Sequence, residues 1–236
     1  FDNIYGTGQS ALDGIIRATN ILLSGKTTVV AGYGHVGKGI ASRCKGHGSS
    51  VIVTEVDPIN ALKARMDGYD VKTMQEASAL GDIFITSTGC KDIITKDHIE
   101  KMKNNTILAN AGHFNVEISI NDLDKISKAK QKLNENVEQY ILNNDNKINL
   151  IGEGRLVNLV AAEGHPSEVM DMSFANQFMS VLNFAQNKGT FENKIYEISR
   201  EQDITIARMK LESMNIKIDE LTDTQQRYIN DYGEGT

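Results

Sequence analysis

Apolar residues recur at helical spacing over residues 9–24, where Leu12, Ile15, Ile16, Ala18, Ile21 and Leu22 share one face. Ser10 is placed to cap the start of this helix and Gly25 to end it. The β-branched run Thr27-Thr28-Val29-Val30-Ala31 follows and reads as a buried parallel strand. A helix over 36–45 and a strand over 50–54, ending on Glu55, complete one βαβ unit. The alternation continues with helices expected over 61–66, 73–80 and 97–103, and strands over 70–72, 82–87 and 106–110. Strands alternating with helices predict an α/β fold, a Rossmann-type doubly wound, mostly parallel sheet with helices on both faces. Beyond residue 115 the pattern weakens. Residues 128–150 mix charges with short apolar runs that suit edge strands, and 170–184 suit an amphipathic helix rich in Met and Phe. A helix over 201–214 and a polar tail ending Tyr232-Gly233-Glu234-Gly235-Thr236 make a C-terminal helical extension.

Composition narrows the class without changing the fold. The chain has 236 residues, 40% hydrophobic and 24% charged, the balance of a soluble globular protein. A net charge of -6 argues against nucleic acid or an anionic membrane as the main partner, since both repel an acidic surface. Cys44 and Cys90 offer neither a disulfide framework nor a metal-ligand spacing, so no metal is expected, and reduced thiols suit a cytoplasmic location. No apolar run approaches the ~20 residues of a membrane span, and no signal peptide is visible. The opening Phe1-Asp2-Asn3-Ile4-Tyr5-Gly6 is expected to belong to a piece of a longer, or processed, protein.

The chemistry begins at Gly32-Tyr33-Gly34-His35-Val36-Gly37. A bare glycine motif recurs by chance, but this one follows a buried strand and opens a helix. Gly32 serves the tight turn, Gly34 lets the backbone approach a pyrophosphate, and Gly37 lets helix and strand pack closely. The helix N-terminus then offers free N–H groups and the positive end of its dipole to phosphate. Glu55, at the end of the next strand, stands where a carboxylate accepts from the adenosine ribose hydroxyls and repels a 2′-phosphate. With Val56 and Asp57 next and no Arg to receive such a phosphate, NAD is favoured over NADP.

At this point the chain resembles a known family, the S-adenosylhomocysteine hydrolases (adenosylhomocysteinases). The strings that carry the likeness are Phe1-Asp2-Asn3-Ile4-Tyr5-Gly6, Val30-Ala31-Gly32-Tyr33-Gly34, Thr54-Glu55-Val56-Asp57-Pro58-Ile59-Asn60-Ala61, Thr88-Gly89-Cys90, Gly112-His113-Phe114, Glu153-Gly154-Arg155-Leu156-Val157-Asn158-Leu159 and Gly164-His165-Pro166-Ser167. They cover nearly the whole chain. The family implies a hydrolase with a built-in NAD that takes and returns the ribose C3′ hydride of S-adenosylhomocysteine, so that homocysteine leaves by elimination and water adds.

Carried over residue by residue, the resemblance makes Glu55 the ribose ligand and Asn60 an adenosine-side contact, and it places Thr88, Asn158 and His165 near the nicotinamide. Thr86, Asn110 and Gly112 join Gly32, Gly34, His35, Val36 and Gly37 in the cofactor set, although the His35 ring is expected to face solvent. Asp2, Asn3, His113 and His165 are the expected catalytic and substrate-side residues, and imidazole suits proton transfer near neutrality. The expected domains are 1–8 as a hinge segment, 9–164 as the NAD-binding domain and 165–236 as the C-terminal helical segment. Partners implied are a small-molecule substrate, S-adenosylhomocysteine or a close nucleoside analogue, and further copies of the chain in a tetramer.

The chain also departs from the family pattern. Thr7 stands where many members carry a cysteine, as in archaeal and some bacterial forms. The family's lysine for C3′ oxidation lies ahead of Phe1, with the domain that holds most of the substrate, and the Lys and Tyr of the longer family tail are not in this sequence, so their contact with a neighbouring NAD is expected to be missing. Two other functions stay open: a bare NAD-binding module, and a Rossmann dehydrogenase acting on a 2-hydroxy acid. His47 and His98 are expected at the surface and Cys90 as a small packed side chain. Met170, Met172, Phe174, Phe178 and Met179 are expected in the core or a subunit interface.

Overall fold

The computed structural model describes residues 1–231, so the expected tail over 232–236 lies outside the described residues. The chain forms two compact units, Phe1–Met170 and a second from Asp171 onward.

The first unit is built on one sheet of eight strands: β1 (Thr27–Ala31), β2 (Ser50–Thr54), β3 (Asp70–Val71), β4 (Ile83–Thr86), β5 (Thr106–Asn110), β6 (Ser127–Asn134), β7 (Val137–Leu142) and β8 (Lys147–Ile151). Their order is β3-β2-β1-β4-β5-β8-β7-β6. The pairs from β3 through to β8 are parallel, while β7 runs antiparallel to both β8 and β6. The order reverses direction between β1 and β4, which opens a crevice at the carboxyl edge of the sheet.

The central strands are apolar because helices cover both their faces. Ile83, Phe84 and Ile85 of β4 are at most 1% exposed, each contributing about 1.5–3 kcal/mol by burial. One core cluster joins Val30, Val53, Ile83 and Ile85 to Ile15 and Ile40, and the other joins Val29, Phe84, Leu108 and Leu150 to Ile99 and Leu123. The helices of this unit are α1 (Thr7–Thr19), α2 (His35–Gly46), α3 (Pro58–Met66), α4 (Met74–Ala77), α5 (Lys96–Ile99), α6 (Ile120–Ile126) and α7 (Val157–Val160).

Several boundaries differ from the sequence expectation for local reasons. α1 ends at Asn20, which takes the left-handed conformation with φ 51°, and not at Gly25. Ser10 does not cap α1; it is buried inside the helix, where its hydroxyl donates to the Gly6 carbonyl. Residues 2–6, within the expected hinge segment 1–8, wind into a π-helical turn that runs straight into α1. α3 starts early because the Asp57 side chain accepts from Ile59 N–H and Pro58 sits in the first turn. The stretch 128–150 contributes two antiparallel strands and one further parallel strand, extending a parallel core into a mixed sheet.

α8 (Ser167–Gln186) begins in the first unit. The second unit continues it and adds α9 (Arg200–Ser213) and α10 (Asp223–Asp231). No residue of α8 is buried, which corrects the core expectation for Met170, Met172, Phe174, Phe178 and Met179. Within the unit, Gln202 donates to the Asn176 side chain and Lys210 pairs with Asp171, so α9 is tied to α8 by polar contacts.

Candidate functional site

The sequence motif becomes a turn fastened at both sides. Gly32 has φ 92°, a conformation that favours glycine, and its N–H donates to the Thr54 carbonyl of β2. A Cβ on Gly37 would stand 1.9 Å from the Gly32 carbonyl oxygen, so the first turn of α2 touches the glycine turn itself. Gly39, two residues on, packs against the N-terminal segment: a Cβ there would lie 2.0 Å from the Ile4 carbonyl oxygen. Gly34 is different. It caps α2 with φ -72°, and a Cβ on it would meet nothing within 4 Å. No protein atom requires glycine at that position, and the open space beside it fits a phosphate approaching the N-terminus of α2.

Behind the turn, the Tyr33 ring is buried and its hydroxyl donates to Asp67 Oδ2 at 2.7 Å. Burial and the neighbouring Asp67 carboxylate push the Tyr33 hydroxyl well above its ordinary range. The same hydroxyl, helped by Lys38, holds the Asp67 carboxyl below the usual carboxylate range. Sequence reasoning missed this pair, since nothing in the spacing of Tyr33 and Asp67 marks it.

Glu55 leaves the end of β2 and reaches the turn. Its Oε2 accepts from Tyr33 N–H at 2.7 Å, and its Oε1 from Val56 and Asp57 N–H at 2.7 and 3.1 Å. The carboxylate is half-buried and sits at the carboxyl edge, beside the glycine turn. Asn60 is in the first turn of α3, which begins three residues after Glu55. His35 is exposed at the start of α2, as its place in the motif predicts.

Further along the same edge come the ends of β4, β5 and β8. Thr86 and Asn110 are fully enclosed. Thr86 Oγ1 donates to Asn110 Oδ1, which also accepts from Gly112 N–H, while Asn110 Nδ2 donates to the carbonyls of Phe114 and Gly154. Their side chains are spent on the loop that carries Gly112 and His113, so they support that loop from within. Thr88 turns toward the buried Glu117, to which both its N–H and its hydroxyl donate. Glu117 was not singled out by the sequence, because one acid in Phe114-Asn115-Val116-Glu117 carries no spacing signal.

A cleft of about 480 Å³ opens beside these loops. Asn3, Val36, His113, Asn158 and His165 all line it, together with Thr7. His165 Nε2 and Thr7 Oγ1 are 2.9 Å apart, and the imidazole lies so close over Gly6 that a Cβ there would stand 2.9 Å from its Cγ. Asn158 is 5% exposed, and its Oδ1 is buried with no hydrogen-bond partner among the described residues. A buried amide oxygen left without a partner is a costly feature. His113 is exposed, its ring edge-on to Phe114 at 4.4 Å. Asp2 lies one residue from this wall, with its Oδ1 accepting from Asn3 N–H.

From Glu55 at β2, through the glycine turn at β1 and Thr88 at β4, to Asn158 beyond β8, the sheet presents four strand spacings, about 19 Å. This is an elongated site with an acid at one end, open space at Gly34 beside it and an amide and two imidazoles at the other. The open face at Gly34 and the cleft lined by Asn158 fit a dinucleotide laid along it.

The family model for the NAD binding domain of S-adenosyl-L-homocysteine hydrolase matches residues 3–164. The chain belongs to that family. Its NAD-binding domain is the unit just described, and NAD is its cofactor. S-inosyl-L-homocysteine hydrolase of Methanococcus maripaludis is 57% identical over 236 residues, all of this chain and 57% of that protein. Adenosylhomocysteinase of Aeropyrum pernix is 57% identical over 229 residues, 97% of this chain and 55% of that protein. Adenosylhomocysteinase of Archaeoglobus fulgidus is also 57% identical, over 100% of this chain and 58% of that protein. The chain thus spans somewhat more than half the length of these relatives. No helix is long and apolar enough to cross a membrane among the described residues.

Two minor expectations need correction. Cys90 is exposed and not packed, whereas Cys44 is buried. His98 is half-buried, its Nδ1 accepting from Thr95 N–H, and burial lowers its basicity.

Proposed function

We propose that this chain supplies the NAD-binding half of an enzyme that hydrolyses S-adenosylhomocysteine, or its inosyl counterpart, to the nucleoside and homocysteine. The observation that carries this reading is the convergence of Asn3, His113, Asn158 and His165 on one cleft at the carboxyl edge of an NAD-binding sheet. Bound NAD would supply a reversible acceptor for the ribose C3′ hydride. Glu55 is suited to accept from ribose hydroxyls with its remaining lone pairs, and the first N–H groups of α2 to hold phosphate. Asn158, in the cleft wall, is suited to hold a carboxamide through its side-chain amide, which would fix the ring that exchanges the hydride. Thr7 occupies His165 Nε2, so Nδ1 is the nitrogen left to take or give a proton. Thr86 and Asn110 act indirectly, by holding the Gly112–His113 loop in place. In this reading residues 1–8 form the hinge to the substrate-binding part, and the NAD-binding domain extends to 164.

Expressed behind the amino-terminal portion that the relatives carry, the chain is expected to release homocysteine thiol from the adenosyl or inosyl thioether with no net NADH. The 236-residue chain alone is expected to bind NAD and turn nothing over. Stoichiometric accumulation of NADH on a 2-hydroxy acid, or no thiol from either thioether, would sink the proposal. The two substrates that the relatives' names carry differ at one end of the purine, so comparing the two thioethers also decides the nucleoside.

Self-association belongs to the same proposal. On α8 the residues Phe174, Phe178 and Val181 follow one another at i, i+4 and i+7 and are 58%, 66% and 66% exposed. A stripe of this kind supports contact with further copies of the chain, and a sedimentation mass of one chain would count against it.

A further inference from the structure

The Glu117 side chain is 1% exposed and lies where two loops of the cofactor site meet. Its Oε1 accepts from Gly89 N–H at 2.7 Å, and its Oε2 from Thr88 N–H at 3.0 Å and the Thr88 hydroxyl at 2.9 Å. On its other side is Gly112, where a Cβ would stand 1.7 Å from Oε1. The Glu117 carbonyl accepts from Ile93 and Ile94 N–H at 2.8 and 3.0 Å, which fixes the backbone that carries the side chain. The carboxylate is therefore a clamp between the turn after β4 and the loop after β5.

Its side-chain donors are two backbone N–H groups and one hydroxyl, none of them charged. Burying an acid among neutral donors is expensive, and an amide or a hydroxyl would fasten two loops at lower cost. Glu117 thus places an acid against Gly112, the chain neighbour of His113 in the cleft wall. The nicotinamide ring is cationic when oxidised and neutral when reduced. A fixed anion in a poorly screened interior attracts the first form and not the second.

We propose that Glu117 is a positioning residue of the NAD site, which clamps the Thr88 turn to the Gly112–His113 loop and whose charge makes the site favour NAD+ over NADH. This rests on the placement of the nicotinamide beside the His113–Asn158 cleft. Its consequence is that the resting site holds the cofactor in the form that accepts a hydride.

The test is calorimetric titration of the 236-residue chain with NAD+ and, separately, with NADH. E117Q keeps the size and removes the charge. It is expected to weaken NAD+ binding by about tenfold more than NADH binding, the scale of a close buried charge pair. E117D keeps the charge on a shorter arm, so both affinities are expected to fall together with the wild-type preference retained. Equal losses for both forms in E117Q, no loss in E117Q, or a lost preference in E117D would each overturn the proposal. Should E117Q not fold, E117D still tests the clamp, since unchanged affinities for both forms would overturn it, and a wild-type chain that binds NADH as tightly as NAD+ would overturn the effect of the charge. A wild-type chain that binds neither form would overturn the NAD-site placement itself, a result distinct from wild-type binding with an unaltered E117Q.

Discussion

Glu55 accepts from three backbone N–H groups, so the residue that shapes the glycine turn is also the one we propose as the ribose ligand. The two tasks separate in a binding measurement. E55A is expected to weaken NAD+ binding by about ten- to a hundredfold, the usual loss for hydrogen bonds to a charged group, and to narrow the gap between NAD and NADP. Unchanged NAD affinity by titration would remove Glu55 from the site. The two cysteines make a second contrast at this scale. Burial pushes the Cys44 thiol up to about 12, so it stays protonated and unreactive at pH 8, while Cys90 is exposed. Thiol counting at pH 8 is expected to find one fast thiol in the folded chain and a second only on unfolding. Two fast thiols would contradict the burial of Cys44.

The turn, α1 and α2 form one packed element. Gly37 presses on the Gly32 carbonyl and Gly39 on the Ile4 carbonyl, so backbone meets backbone with no side chain able to yield. G39A is therefore expected to cost about 1–3 kcal/mol of stability, a fall of several degrees in the melting temperature, with the loss read in thermal unfolding. The Tyr33–Asp67 bond fastens the same element to the residue that follows α3. Because the folded chain raises the Tyr33 hydroxyl above its ordinary value of 10.0, its contribution is present below that pH and is lost as pH rises past it. Wild type and Y33F are thus expected to converge in stability as pH climbs above about 10, the ordinary tyrosine value. A constant difference in melting temperature across that range would show that the hydroxyl does not carry the effect.

At the scale of the whole molecule, the strands and the glycine turn were legible because they rest on short-range rules. A β-branched run between glycine turns is a buried parallel strand, and β1, β2 and β5 appear at the residues their sequence predicts. The strands β6 to β8 were blurred because only one of them is buried on both faces; β6 carries mostly exposed side chains and has no hydrophobic run to announce it. The site was legible in part. Gly34, Glu55, His113, Asn158 and His165 stand in recognisable strings. Glu117 and Asp67 act through contacts across the fold, with partners 28 and 34 residues away in the chain, and local pattern does not register such pairs. The apolar face of α8 was legible as a pattern but not as a place, since periodicity tells which residues share a face and not what covers it.

The central claim is that NAD lies along the carboxyl edge with its phosphates at the N-terminus of α2. Gly34 tests it most directly, because its backbone has an ordinary φ of -72° and a Cβ would touch no protein atom within 4 Å. Calorimetric titration of G34A with NAD+, alongside its thermal unfolding, is the measurement. The account predicts a variant as stable as wild type that no longer binds NAD+. A stable G34A that binds NAD+ as tightly as wild type would contradict it.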